Sequence, residues 1–134
     1  MIHAPRNLKF TRNHEWVRVK GQTLVVGMTD FAQSQLSHII NVDLPAPDEH
    51  HHYEAGGEVG VLESVKAAAD FCAPVSGIVT AVNPELLHAA ELINSDPYGT
   101  GWLFQMKPDD VADVEDLMDA DEYEGSLPDD GNEE

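Results

Sequence analysis

Lys66 is the only Lys or Arg in the 86 residues from Gly21 to Met106 of this 134-residue chain. Its neighbours Val65, Ala67, Ala68 and Ala69 are small or apolar, so the amine is open to an acylating enzyme from several sides. Acylation removes the ammonium charge and lengthens the side chain into a flexible tether. A tether on a rigid support raises the local concentration of its end group at any partner within reach, which carriage between several active sites requires. The chemistry then belongs to the attached group, and the polypeptide presents and shields it. The plain alternative is an ordinary exposed lysine in a turn.

Other reactive side chains offer less. Cys72, the single cysteine, sits between Phe71 and Ala73, the setting of a small core residue more than of a redox thiol. His50, His51 and His52 are consecutive and therefore point in different directions, so they read as a solvated loop with no metal site. Nucleophilic triads, Gly-rich phosphate loops and helical metal motifs are absent as recognisable spacings, which leaves autonomous catalysis with little support.

The elements that must position Lys66 are mostly strands. Glu58 to Glu63 is one strand and Ala69 to Ala73 its return partner, which leaves Ser64 to Ala68 at the reversal and Lys66 at a hairpin tip. Glu15 to Met28 reads as a second hairpin with Gly21-Gln22 as a two-residue turn. Thr29 caps a short helical segment from Asp30 to Leu36, and Ile40, Val42 and Leu44 then resume the period-2 alternation of a strand, ended by Pro45 and Pro47. A polar loop runs from Ala46 to Gly57. Ile78 to Val82 and Trp102 to Met106 complete the strands, with a short helix from Pro84 to Ala90 between them. Val111, Val114, Leu117 and Met118 recur at the spacing of one helical face, with Asp109 as cap, so a final amphipathic helix should cover the edge or open end of a sandwich or flattened barrel.

Length allows one domain, taken as residues 1–125, followed by an acidic, disordered tail at 126–134. The formal net charge is -18, and 13 of the 25 acids fall between Asp109 and Glu134, so phosphate backbones and anionic lipid surfaces are repelled. Nucleic acid and membranes are therefore not expected as partners. The N-terminal residues lack an apolar run that could direct secretion, and a lone cysteine suits a reducing cytoplasm.

Glu63-Ser64-Val65-Lys66-Ala67-Ala68-Ala69-Asp70, followed by Ala73-Pro74-Val75-Ser76-Gly77, closely resembles the lipoyl attachment region of the glycine cleavage system H protein family. Phe10 to Val17, Val26 to Gln33, Asn94 to Leu103 and Leu117 to Glu124 resemble that family in the same order along the chain. Biotin acceptors share this kind of architecture but usually place methionines beside the lysine, where Val65 and Ala67 stand here. The resemblance implies a mainly β, lipoyl-domain-like barrel-sandwich hybrid with short helices and a C-terminal α-helix. It implies covalent lipoate on Lys66, attached by a lipoate ligase or lipoyltransferase. It further implies a carrier without catalysis of its own, moving an aminomethyl group from glycine decarboxylase to an aminomethyltransferase, with dihydrolipoyl dehydrogenase reoxidising the arm. Glu15 and Asp70 match acids that line the family's cleft for the loaded arm, where carboxylates and partial burial would hold a cationic, water-labile group.

Two departures bear on partner identity. Leu36-Ser37-His38 replaces the common leucine, glycine and acid, and the loop from Pro47 to Gly57 carries three histidines where a short Gly-containing turn is usual. H-like paralogues serve other lipoate-dependent systems, including cytoplasmic sulfur oxidation with a heterodisulfide-reductase-like complex, so carriage of sulfur is the alternative role that the resemblance admits.

Overall fold

Two antiparallel sheets carry the fold in the computed structural model, which describes residues 4–128. The larger sheet orders its six strands β1 (Lys9–Phe10), β2 (Glu15–Lys20), β3 (Thr23–Met28), β9 (Phe104–Pro108), β8 (Gly77–Val82) and β5 (His52–Tyr53). The smaller has three, β4 (Ile39–Asp43), β6 (Glu58–Ser64) and β7 (Ala68–Cys72). Short helices α1 (Asp30–Leu36), α2 (Leu92–Ser95) and α3 (Ala120–Ser126), with 3-10 turns at Pro84–Leu87 and Val111–Asp116, fill the connections. Among the described residues no helix is long and apolar enough to cross a membrane.

Strand alternation sends side chains to two apolar clusters. Val17, Val26, Leu62, Phe71, Phe104 and Met106 meet between the sheets. Phe10, Trp16 and Val25 face the opposite way and pack with Ala120 and Tyr123 of α3. The β2–β3 hairpin turns at Gly21-Gln22, where Gly21 takes φ 65°, a left-handed value that favours glycine at the first position of such a turn. Thr29 caps α1 by accepting a hydrogen bond from the Ala32 N–H at 3.2 Å.

Three expectations are corrected. A bulge between Ile39 and Asn41 reverses the alternation of β4, so Ile39 is buried and Ile40 is 55% exposed. Leaving that side chain half in water forgoes on the order of 1 kcal/mol of burial. Second, His52–Tyr53 forms a short strand inside the expected polar loop, pairing with Ile78 and Gly77. Third, the apolar spacing from Val111 to Met118 does not make one helix. A 3-10 turn capped by Asp110 ends at Asp116, and Met118 instead pairs with Phe10 as an isolated bridge along the sheet edge. The α-helix begins afterwards at Ala120, where the Asp119 side chain and the Glu122 side chain cap each other's backbone N–H groups at 2.8 and 3.0 Å. Helix α3 runs to Ser126 and Leu127 packs against the second cluster; residues 129–134 of the expected tail lie outside the described residues.

Trp16 ties its own hairpin to a distant segment. Its indole N–H donates to the Pro97 carbonyl at 2.9 Å, Arg18 lies 4.8 Å over its ring, and Gly27 opposite it on β3 leaves room for the indole. A Cβ at Gly27 would stand 2.6 Å from the ring of a fully buried tryptophan already fixed by its hydrogen bond. Gly27→Ala should therefore destabilise the fold by about 1–3 kcal/mol, read as a lower urea midpoint with an unchanged m-value; an unshifted midpoint would contradict this packing.

Candidate functional site

The β6–β7 reversal is built by a serine. Ser64 is buried, its hydroxyl accepts from the backbone N–H groups of Lys66 and Ala67 at 3.2 and 3.0 Å, and it donates to the Ala67 carbonyl at 3.1 Å. The Ser64 N–H closes the turn on the same carbonyl at 2.8 Å, and the Val65 N–H reaches across to the His38 carbonyl at 3.1 Å. The tip is thus tied on one side to its own stem and on the other to the start of β4. Lys66 is exposed at that tip and forms none of the ion pairs among the described residues.

Glu15 lies elsewhere, at the entry of β2, and is only 1% exposed. The turn that delivers it is tight: the Thr11 N–H donates to the Glu15 carbonyl, the His14 N–H to the Thr11 carbonyl, and His14 sits at φ 71°. The Glu15 carboxylate accepts from the Thr11 hydroxyl at 2.5 Å, from Asn13 Nδ2 at 2.6 Å and from the Cys72 N–H at 2.8 Å. Burial pushes its pKa up, and the hydrogen bonds from Thr11, Asn13 and Cys72 pull against that. Asn13 Nδ2 also faces the Asp70 carbonyl at 3.3 Å and Cys72 Sγ at 3.8 Å. Burial, with the carboxylates of Glu15, Asp70 and Glu58, raises the Cys72 thiol, which keeps it protonated and a poor nucleophile.

Two hollows meet at Asn13. One, about 730 Å³, is bordered by Thr11, Glu15, Cys72, Pro74 and Met118. The other, about 210 Å³, is bordered by His14, Phe31, Leu36, Ala69 and Asp70. The two acids singled out in the sequence therefore fall on opposite sides of Asn13. Asp70 is exposed on β7, and its carboxylate makes no hydrogen bond or ion pair among the described residues. Lys66 borders neither hollow.

His14 is the site residue that sequence reasoning missed. Its Nδ1 lies 2.9 Å from the Tyr123 hydroxyl, which also meets the Thr29 hydroxyl at 2.6 Å, and its ring packs against Phe31 at 5.0 Å. Burial lowers its pKa, so the imidazole is neutral near pH 7. Asn13 and His14 lie within a motif already picked out, but the φ of His14 and the 109-residue span to Tyr123 leave no sequence signature. The three loop histidines diverge: His50 lies 3.8 Å from Glu49, His51 packs on Tyr53, and His52 bonds Asp109 at 2.7 Å, which raises its pKa.

A lipoyl group fits these surroundings by reach and by chemistry. From a lysine Cα to a dithiolane sulfur is about twelve bonds, as many as four extended residues, or about 13 Å. Asp70 is four residues from Lys66 along a strand that rises about 3.3 Å per residue, hence at most about 13 Å away. An arm on Lys66 laid back along β7 would end beside the small hollow, where Phe31, Leu36 and Ala69 would supply apolar wall and Asp70 a carboxylate.

Because burial holds the Glu15 carboxyl above the ordinary range, the folded chain binds that proton more tightly than the unfolded chain. Its contribution favours folding below the ordinary glutamate pKa and is lost as pH rises through the raised value. Glu15→Gln should flatten the stability profile as pH rises above the ordinary glutamate range, measured by urea midpoints; a slope as steep as the parent's would assign it to other carboxyls. Glu15→Ala strands three donors and should cost about 2–4 kcal/mol.

Comparison with known proteins agrees with this geometry. The glycine cleavage H-protein family model matches residues 8–130. A glycine cleavage system H protein of Psychrobacter cryohalolentis is 48% identical over 128 residues, 95% of this chain and 100% of the relative. One from Acinetobacter baumannii is 45% identical over 126 residues, 94% of this chain and 100% of the relative. The crystal structure of a glycine cleavage system H protein from Mycobacterium marinum superposes with a TM-score of 0.80 at 33% identity, covering 91% of this chain and 97% of that one. The chain therefore belongs to the glycine cleavage H-protein family, lipoyl carriers that hold lipoate covalently on a lysine.

Proposed function

We propose that Lys66 is the lipoylated residue and that the chain serves glycine cleavage as a cytoplasmic carrier subunit with no catalysis of its own. The observation that carries this is the tip geometry: an exposed lysine, isolated from other cations, on a turn fixed by Ser64 and His38 and outside both hollows. When bound, lipoate supplies a disulfide that can be reduced and can accept a one-carbon amine. The residues of the chain supply everything else. Lys66 gives the amide anchor, and the Ser64 turn keeps that anchor at a constant distance from β7. Asp70, with an exposed carboxylate free of partners among the described residues, attracts a cationic load. Phe31, Leu36 and Ala69 exclude water from the small hollow, and neutral His14 adds no positive charge to oppose the load.

Glu15 acts behind this surface in the proposal. Its carboxylate holds Asn13, and Asn13 holds the Asp70 backbone, so Glu15 sets where Asp70 stands. The partners that follow are a lipoate-attaching enzyme, glycine decarboxylase, aminomethyltransferase and dihydrolipoyl dehydrogenase. Sulfur carriage with a heterodisulfide-reductase-like complex gains no support from the relatives compared and is not proposed.

The test is glycine-dependent bicarbonate exchange with a glycine decarboxylase, using protein whose complete lipoylation at Lys66 is confirmed by mass. Exchange should be robust and should fall to background in Lys66→Arg, which keeps the charge but cannot be acylated. Absence of exchange from fully lipoylated protein, or its persistence in Lys66→Arg, would overturn the assignment.

A further inference from the structure

Four large apolar side chains among the described residues are exposed: Val19, Ile40, Val65 and Leu87. Two of them lie on or beside the hairpin that carries Lys66. Val65 precedes it in the chain and is 65% exposed; Ile40 lies on the neighbouring strand β4 and is 55% exposed. The Val65 N–H bonds to the His38 carbonyl, and Ile39 pairs with Ser64, so Ile40 and Val65 stand as diagonal neighbours on the outer face of the small sheet. Ile40 is there only because of the bulge between Ile39 and Asn41. Without it, the alternation of β4 would turn Ile40 away from that face. Bulges re-aim side chains beside functional sites, and this one takes an isoleucine out of a regular alternation and stands it on the strand beside the hairpin that carries Lys66.

Two acids lie on the stem side of the pair. Glu63 and Asp43 are exposed on the same small sheet, and Glu63 is fixed by the Asn41 side chain at 2.9 Å. An apolar centre with acids on one side is the complement of a partner surface with an apolar depression and basic residues beside it.

We propose that Ile40 and Val65 form the docking patch for the enzyme that acylates Lys66. This rests on Lys66 being the lipoylated residue. Acylation needs the amine itself inside the enzyme. The Nζ lone pair attacks the carbonyl carbon of an activated lipoyl ester, the amide forms as the bond to the phosphate or thiol leaving group breaks, and the ammonium proton passes to a base on the enzyme. An enzyme that performs this step must enclose the tip and so must touch Val65 and the strand beside it. Enzymes that work on the far end of the arm meet their substrate about 13 Å from the lysine Cα and have no need of the tip.

The experiment measures lipoylation of the full apo chain by a lipoate–protein ligase with lipoate and ATP, by mass. Ile40→Ser and Val65→Ser should each lower kcat/KM at least tenfold, chiefly through KM, whereas Ile40→Val and Val65→Ile restore it. Val19→Ser, which removes an equally exposed apolar side chain from a different strand, should leave the rate within twofold. Acetylation of Lys66 by a small water-soluble acylating reagent should proceed at the parent rate in both serine variants, which a collapsed hairpin would not allow. The proposal fails if the serine variants are lipoylated within twofold of the parent. It also fails if the loss appears instead in bicarbonate exchange by fully lipoylated variants, since the patch would then serve users of the arm. A parent chain that acquires no lipoyl group at Lys66 would instead remove the assignment on which the proposal rests.

Discussion

A carboxylate almost sealed from water ties the two sheets together. Glu15 begins β2 in the larger sheet, and its Oε2 accepts from the Cys72 N–H at the end of β7 in the smaller one. Apart from Asn13, which reaches the Asp70 carbonyl, the contacts that join the sheets in this region are apolar and non-directional: Phe71 against Phe104, and Leu62, Val17 and Met106 around them. Such a core fixes how near the sheets lie but tolerates small slips along the strands. The carboxylate removes that freedom, since its acceptors have directions and its donors come from a turn and a strand 57 residues apart. Burying an anion is costly, and three donors offset that cost only while all are in place. The site therefore inherits its geometry from an interaction that is stable only when complete.

The same logic links the C-terminal helix to the small hollow. Tyr123 stacks on Phe10 at 4.7 Å and places its hydroxyl between Thr29 and His14. Burial raises the phenol pKa far above neutrality, so it remains a hydrogen-bonding hydroxyl across the working pH range. His14, in a left-handed backbone conformation that a histidine rarely adopts, is held there from outside its own turn. The N-terminal segment closes over α3 in turn: the Ala4 N–H bonds to Glu124 at 2.6 Å, and Arg6 pairs with Asp121 and Glu124 at 2.7 and 3.2 Å. The exposed pair with Asp121 contributes little by itself. Its value is to hold an apolar alanine over the second cluster.

Local chemistry was the legible part of the sequence. The Gly21-Gln22 turn, the Thr29 cap and the reversal around Lys66 each depend on residues within a few positions of one another, and each is found where the residue types place it. The errors arise where a distant partner overrides a local pattern. Val111 to Met118 has helical spacing, but Phe10 captures Met118 as a bridge partner, so the helix starts later at the Asp119 and Glu122 capping box, itself readable in the chain. Ile40 alternates correctly with Val42, yet the bulge in β4 turns it outward. His52 and Tyr53 carry no strand signal of their own and pair because β8 presents an open edge to them. Of the candidate site, the exposed position of Lys66 at the β6–β7 turn could be read directly, because isolation and turn chemistry are sequence properties. The burial of Glu15 could not, since its third donor is far along the chain.

Charge explains why a lysine at this place suits a carrier. The chain bears a formal -18, and Lys66 is the one cation over a long stretch that includes Asp43, Glu63 and Asp70. A free ammonium there is attracted by the sheet's own acids, although it forms no ion pair among the described residues. Acylation would cancel that attraction and leave a neutral tether governed by its own flexibility. A positive load at the far end would restore attraction at the other end of the arm, beside Asp70 and the apolar wall of the small hollow. The arm's position would then follow its chemical state with no rearrangement of the fold: extended when neutral, parked when cationic. Only the Asp70 carboxylate in the middle of β7 needs to stay in place, and the Glu15 and Asn13 hydrogen bonds hold its strand there.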